Sequence, residues 1–195
     1  MAGFFASLFH KKADASVSNP DEGAFVESPA DDSRTASSQE EHLPTRIALC
    51  SPADGAAKSL EEVADDVFST KVLGDGFAVT PSNGLIVAPV SGTISTIANA
   101  RHAVGITMEN GIEALVHIGI DTVKLGGKHF TYLVNEGDKV KKGQPLIRFE
   151  LEAIKAEGYP VTTPLIVCNT DDYAAVEAKA SGTVKQGDAL LELKR

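Results

Sequence analysis

From residue 45 onward, turn residues cut the chain into short apolar runs, and that rhythm constrains the fold more than any other feature. β-rich runs occupy 46–49, 76–80, 84–89, 92–97, 103–109, 113–118, 146–150, 164–167 and 189–193, and Gly, Asn, Pro or Asp stands in nearly every gap. Regular short spacing of this kind predicts an all-β fold, an antiparallel β-sandwich or barrel. Seventeen glycines and no tryptophan agree with many turns and few long helices. Two short helical patches are expected. Ser59 and Glu62 have capping-box spacing ahead of Val63 and Val67, and the Ala-rich stretch 171–179 is long enough for about two turns.

An internal repeat runs through this region. VKKGQPLIRFE at 140–150 and VKQGDALLELK at 184–194 match at an offset of 44, and SGTI at 91–94 is echoed by SGTV at 181–184. In each longer copy a Lys-Gly turn feeds an alternating strand. The pattern predicts a duplicated motif, two related half-barrels that share one core.

The first 44 residues read differently. Residues 13–44 set eight carboxylates against Arg34 alone, a local charge of −7, among Ser, Ala and Pro. Such a segment cannot bury enough apolar surface to offset its chain entropy, so it is expected to be a flexible acidic linker. Before it, Met1, Phe4, Phe5, Leu8 and Phe9 recur at helical spacing, followed by Lys11 and Lys12. This amphipathic segment, residues 1–12, has no basic region ahead of its apolar run. It is also far short of the ~20 residues that span a bilayer, so neither a secretory signal nor a transmembrane helix is expected. A weak interfacial anchor on anionic lipid, a frayed terminus and a helix docked on its own protein all fit. The three predicted parts are thus 1–12, 13–44 and a globular domain from 45 to 195.

Charge and cysteine content remove several function classes. A net charge of −9 disfavours nucleic-acid binding, which needs clustered cations. Cys50 and Cys168 form no C-x-x-C pair, which argues against a disulfide scaffold or a thiolate zinc site and fits a reducing compartment.

Of five histidines, His10 and His42 fall in the tail and His129 in the glycine-rich turn GGKHF. His117, in ALVHIGIDTV, shares a strand face with Leu115, while Val116 and Ile118 point to the other, core-directed face. His102 begins the preceding strand, and ENG at 109–111 is a hairpin signal between the two. A turn centred on Asn110-Gly111 would set residue 117 opposite residue 104. His102 would then be a diagonal neighbour on the same face, ~7–8 Å away at Cβ or less. Two imidazoles at one place suit a metal site, general acid–base work or covalent phosphoryl transfer, besides an ordinary structural pair. Zinc wants three or four protein ligands, and no third is evident. A neutral imidazole is a nucleophile near pH 7, and a second can donate to phosphoryl oxygens. No P-loop is present, which disfavours ATP as donor.

The runs KVLGDGFAVTPSNGLIVAPVSGTISTI (71–97), RHAVGI (101–106), VHIGIDTVKLGGKHF (116–130), EGDKVKKGQPLIRFELEAIKAEGYPVTTPLIVCN (136–169) and GTVKQGDALLELK (182–194) resemble the glucose-type enzyme IIA of the bacterial phosphoenolpyruvate:sugar phosphotransferase system. The resemblance covers essentially all of 46–195 and is most specific at VHIGIDT. It implies an antiparallel β-sandwich with a duplicated barrel-sandwich hybrid motif, and a cytoplasmic phosphocarrier. It implies that His117 accepts phosphate through Nε2, with Nδ1 held by a backbone carbonyl near Gly119, and that this ring is accessible. His102 is implied as the supporting histidine. The implied donor is the phosphocarrier HPr, and the acceptor a cysteine of a IIB domain in a membrane sugar permease. No cofactor is implied, although the two histidines could share zinc with a partner's carboxylate. Some relatives associate with membrane through an amphipathic N-terminus, similar in kind to residues 1–12. Many relatives carry Thr where this chain has Ala100, so one neutral hydrogen bond, ~1 kcal/mol, is expected to be missing from the site.

A carrier that visits two partners in turn suits a modest apolar patch around its histidine. Val67, Phe68, Ile97, Val104 and Leu115 are candidates by strand phase or by the resemblance, with core packing the competing role, more so for Ile97 than for Phe68. Asp121 matches a rim acid suited to a partner's arginine, against the role of a turn aspartate bonded to local backbone. The alternative is a biotinyl or lipoyl carrier modified at Lys155 in LEAIKAE. Ile154 and Ala156 replace the methionines that a biotin acceptor favours there, and the domain is about twice the size of a lone carrier module.

Overall fold

The structure, a computed structural model, describes residues 46–194, so both the amphipathic segment 1–12 and the acidic linker 13–44 lie outside the described residues. Fourteen antiparallel strands follow: β1 (Arg46–Cys50), β2 (Gly55–Ser59), β3 (Asp75–Pro81), β4 (Leu85–Val87), β5 (Gly92–Ile97), β6 (Ala103–Thr107), β7 (Glu113–His117), β8 (Phe130–Tyr132), β9 (Lys139–Val140), β10 (Pro145–Phe149), β11 (Thr163–Val167), β12 (Ala175–Ala178), β13 (Gly182–Val184) and β14 (Ala189–Lys194). The longest sheet runs β13-β2-β3-β11-β7-β6-β5-β9, and two three-stranded sheets run β1-β14-β12 and β4-β10-β8. One core joins them. Val104, Ile106, Val116 and Leu165 from the long sheet meet Leu49 and Leu193 from one short sheet and Ile86 and Ile147 from the other. That is the all-β sandwich expected from the turn rhythm.

The long repeat is a structural one. Val140 and Val184 are both buried, as are Leu146 and Leu190 after the turn. Gly143 N–H donates to the Ala88 carbonyl and Ala88 N–H donates to that of Gln144; in the other copy Gly187 N–H donates to Ser51 and Ser51 N–H to Asp188. The segments gripped this way, SPADG at 51–55 and APVSG at 88–92, are related by an offset of 37 and form the missing half of each motif. The SGTI/SGTV echo, by contrast, joins unlike places: SGTI enters β5, which pairs with β6 and β9, whereas SGTV forms the edge strand β13 beside β2.

Two helical expectations are corrected. Residues 171–179 form not two helical turns but a three-residue 3-10 helix, Thr170–Asp172, followed by β12. Pairing of β12 with β14, which sets Val176 beside Leu193, overrides the helical propensity of the alanines, since tertiary pairing outweighs local preference. Ser59 caps only a 3-10 helix, Leu60–Glu62, accepting from Glu61 N–H rather than from residue 62. Helix α1 (Asp66–Ser69) has its own cap, since the Asp65 carboxylate accepts from Val67 N–H at 2.9 Å and Phe68 N–H at 3.3 Å. Helix α2 (Leu151–Ala156) inserts Ile154 into the core. Among the described residues no helix is long and apolar enough to cross a membrane.

Candidate active site

β7 sits inside the long sheet between β6 and β11. Its alternation sends Ala114 and Val116 into the core and Leu115 and His117 to the opposite face. That face is covered: Leu60, Val63 and Phe68 are buried yet stand apart from the main core, and the Phe68 ring lies 5.0 Å from that of His117. His117 ends the strand, where Ile118 N–H still donates to the His102 carbonyl at 2.7 Å. The chain then breaks away at Gly119 (φ 74°), and Ile120 N–H donates to the Pro160 carbonyl. A Cβ at position 119 would meet Pro160 O at 2.7 Å and Thr122 Cγ2 at 2.4 Å, so the corner demands glycine for space as well as for conformation. The Thr122 hydroxyl donates to the Ile118 carbonyl and locks the corner from behind.

The corner aims the Gly119 carbonyl at His117 Nδ1, 2.9 Å away. A carbonyl only accepts, so Nδ1 carries the proton and Nε2 the lone pair. His102 stacks edge-on, with ring centroids 4.7 Å apart and planes at 79°. Burial first, then the neighbouring His102, pull the His117 pKa down to about 3, against the opposing pull of the Gly119 carbonyl. Burial also lowers His102, only partly offset by the nearby Ala100 carbonyl. Both rings are therefore neutral at pH 7.

The register differs from the sequence expectation. Ala103, not Val104, stands opposite His117, and Val104 pairs with Val116. The hairpin loop has three residues rather than two, with Met108 N–H bonded to Ile112 O and Gly111 in the left-handed region (φ 88°). His102 nevertheless meets His117 because it lies outside the strand. Arg101, at φ 56°, turns the chain just before it and frees it from the alternation.

Burial corrects three further expectations. His117 is 5% exposed and His102 3%, so the ring is shielded, not open. Val104 faces the core and Leu115 is buried on the opposite face, so neither is available to a partner. Ile97, opposite Val104, is only half-buried whereas Phe68 is buried, the reverse of the core preference expected for the two. Val67 is 40% exposed. Asp121 is exposed in left-handed backbone, makes no side-chain bond to local backbone, and pairs with Lys124 at 2.7 Å. Lys155 is exposed on α2 and paired with Glu152 at 2.9 Å. Pro160 and Thr122, which shape the corner, escaped the sequence reading, although GIDT and YP flag turns there.

The residues do not fit a resident zinc ion. Two imidazoles fall short of a zinc ligand set, one nitrogen is already committed to Gly119, and no group of three or more His, Cys, Asp or Glu able to hold a metal exists among the described residues.

A β-sandwich with a duplicated strand–turn–strand motif and a neutral histidine pair beside a strand end defines a narrow class. The family model of the phosphoenolpyruvate-dependent sugar phosphotransferase system, EIIA 1, matches residues 47–173. The chain belongs to that family. It is 39% identical over 142 residues to the glucose-specific EIIA component of Staphylococcus aureus (strain Mu50), covering 73% of this chain and 86% of that protein. It is 51% identical over 152 residues to the beta-glucoside-specific EIIBCA component of Bacillus subtilis (strain 168), covering 78% of this chain. The chain spans only 25% of that longer relative. The structure of glucose permease IIA from Mycoplasma capricolum superposes with a TM-score of 0.72 at 37% identity, covering 76% of this chain and 96% of that one. Membership of this family does not favour a biotinyl or lipoyl carrier.

Proposed function

We propose that the protein is a phosphocarrier that takes a phosphoryl group on His117 Nε2 from phosphorylated HPr and passes it to a cysteine of a IIB domain in a sugar permease. The observation that carries this reading is the 2.9 Å contact between His117 Nδ1 and the Gly119 carbonyl. It selects the tautomer whose lone pair is on Nε2.

In the first step the Nε2 lone pair attacks phosphorus, the P–N bond to the donor histidine breaks, and the donor ring recovers its electron pair. Nδ1–H stays on the Gly119 carbonyl, which stabilises the positive charge the ring acquires. In the second step a thiolate attacks, an S–P bond forms, the N–P bond breaks, and His117 returns to its neutral tautomer. His102, 4.7 Å away between centroids, is the group suited to donate to the phosphoryl oxygens. The Phe68 lid and the apolar walls keep the ring neutral, with its lone pair on Nε2, and they exclude water that would hydrolyse the phosphoimidazole. The transfer as written requires no metal; zinc at this pair would need a carboxylate brought by a partner.

Val67, exposed beside Phe68, with Ile97 and Asp121, is the patch proposed to meet both partners. The EIIBCA names of the longer relatives support a IIB domain as one of them. The work is cytoplasmic, at the inner face of the membrane, with residues 1–12 supplying weak lipid contact. Removal of those residues should leave phosphate acceptance intact and reduce vesicle binding.

The test is to mix the full chain with phosphoenolpyruvate, enzyme I and HPr and map the modified residue by mass spectrometry. An acid-labile phosphate on His117, absent from His117→Ala, supports the reading. Label retained by His117→Ala overturns it. His102→Gln should accept phosphate but pass it on poorly; equal onward rates would remove the role given to His102.

A further inference from the structure

The loop between β5 and β6 carries His102 to His117. Two backbone bonds close it, Ala98 N–H to Ala103 O at 3.1 Å and Arg101 N–H to Ala98 O at 2.8 Å. The polar neighbour of the His102 ring is the Ala100 carbonyl, which belongs to the same loop. Both nitrogens are buried and neither makes a hydrogen bond of normal geometry. Its orientation therefore follows from the loop backbone and from packing on His117. A cleft of about 540 Å³, lined by Ile97, Asn99, Arg101, Tyr132, Asn135 and Glu136, lies against the loop.

Tyr132 crosses from another sheet to this loop. It pairs with Ile147 in the β4-β10-β8 sheet and packs on the core. Its hydroxyl lies 2.5 Å from the Ala103 carbonyl and 3.3 Å from that of Ala98, the two residues that close the loop. A phenol has one proton, which goes to the nearer carbonyl and leans toward the other. Burial raises this hydroxyl to about 12, so it stays a donor at any working pH.

We propose that Tyr132 is a positioning residue that holds His102 against His117 by tying both stems of the β5–β6 loop to the neighbouring sheet. It does not touch the reacting atoms. Without the hydroxyl, Ala103 O still accepts from Ala98 N–H, and Ala98 O still accepts from Arg101 N–H. No buried carbonyl is then orphaned, so the fold loses little while the loop loses its tether.

The variant is Tyr132→Phe in the full chain, with Thr131→Ala, an exposed neighbour on the same strand, as control. The first readout is NMR of the unphosphorylated protein. The His102 ring signals should shift or broaden and the cross-peak between the His102 and His117 rings should weaken, with His129 and the Thr131→Ala spectrum unchanged. The second rests on the phosphocarrier reading: phosphate acceptance should be unchanged, and transfer to IIB should fall about fivefold, as for one neutral hydrogen bond. Unchanged His102 signals in Tyr132→Phe, or equal changes in Thr131→Ala, overturn the proposal. If the wild-type chain accepts no phosphate, the phosphocarrier reading fails, while the NMR readout still decides the role of Tyr132.

Discussion

Replacing Gly119 by alanine tests the geometry on which the site depends, because its cost separates into parts that another glycine isolates. Gly111 and Gly119 both have left-handed backbone, at φ 88° and 74°. A Cβ at Gly111 meets nothing within 4 Å, so Gly111→Ala bears only the conformational cost, about 1–2 kcal/mol. At Gly119 the same methyl also strikes the Pro160 carbonyl, which is held by Ile120 N–H, and the Thr122 side chain, which is fully buried and bonded to Ile118. Overpacking of this kind adds about 1–3 kcal/mol, and losing the Thr122 bond about 1 more. Gly119→Ala should therefore be less stable than Gly111→Ala by about 2–4 kcal/mol in urea unfolding, at unchanged m-value. It should also shift the Gly119 carbonyl away from His117 and alter the nitrogen shifts that report its tautomer. Equal stability of the two variants, within about 0.5 kcal/mol, would mean that the corner is not packed as described.

Acid should destabilise the fold through the same ring. With His117 held near pKa 3 and an unfolded value of ~6.5, the unfolded chain takes up the extra proton between those values. His117 thus stabilises fully above pH 6.5, and its contribution falls by about 1.4 kcal/mol per pH unit as pH drops toward 3. Urea titrations at pH 7.5 and pH 5 should differ by less in His117→Gln than in wild type; equal losses would contradict the buried neutral imidazole. Phe68→Ala removes a wall 5.0 Å from His117, so NMR titration should find the His117 pKa higher than in wild type, and an unmoved value would show that Phe68 does not shield it. Asp65→Ala removes the cap of the four-residue helix carrying Phe68 and should cost about 1 kcal/mol; no loss in thermal unfolding would count against the cap.

Much of the fold was legible in the sequence because strand alternation and turn chemistry are local. Val116 and Ile118 face inward and His117 outward, as a period of two requires, and the Lys-Gly turns of the long repeat mark equivalent corners. Where tertiary pairing opposed local preference, the preference misled. Alanines 175 and 178 lie in a strand because β14 offered a pairing edge and Leu193 offered Val176 a neighbour.

What only the tertiary structure decided lies within a few ångströms of His117. A three-residue loop moved the β6–β7 register by one position, and a left-handed Arg101 brought His102 back to the site in spite of that shift. The shielding of His117 by Phe68, the Gly119 carbonyl on Nδ1, and the Tyr132 tether join residues 29 to 49 positions apart or fix a single backbone angle. The sequence by itself determined which face each strand buries, because every residue carries its own share of that signal. Register and ring orientation depend on loop length and on contacts between distant segments, which no local pattern encodes.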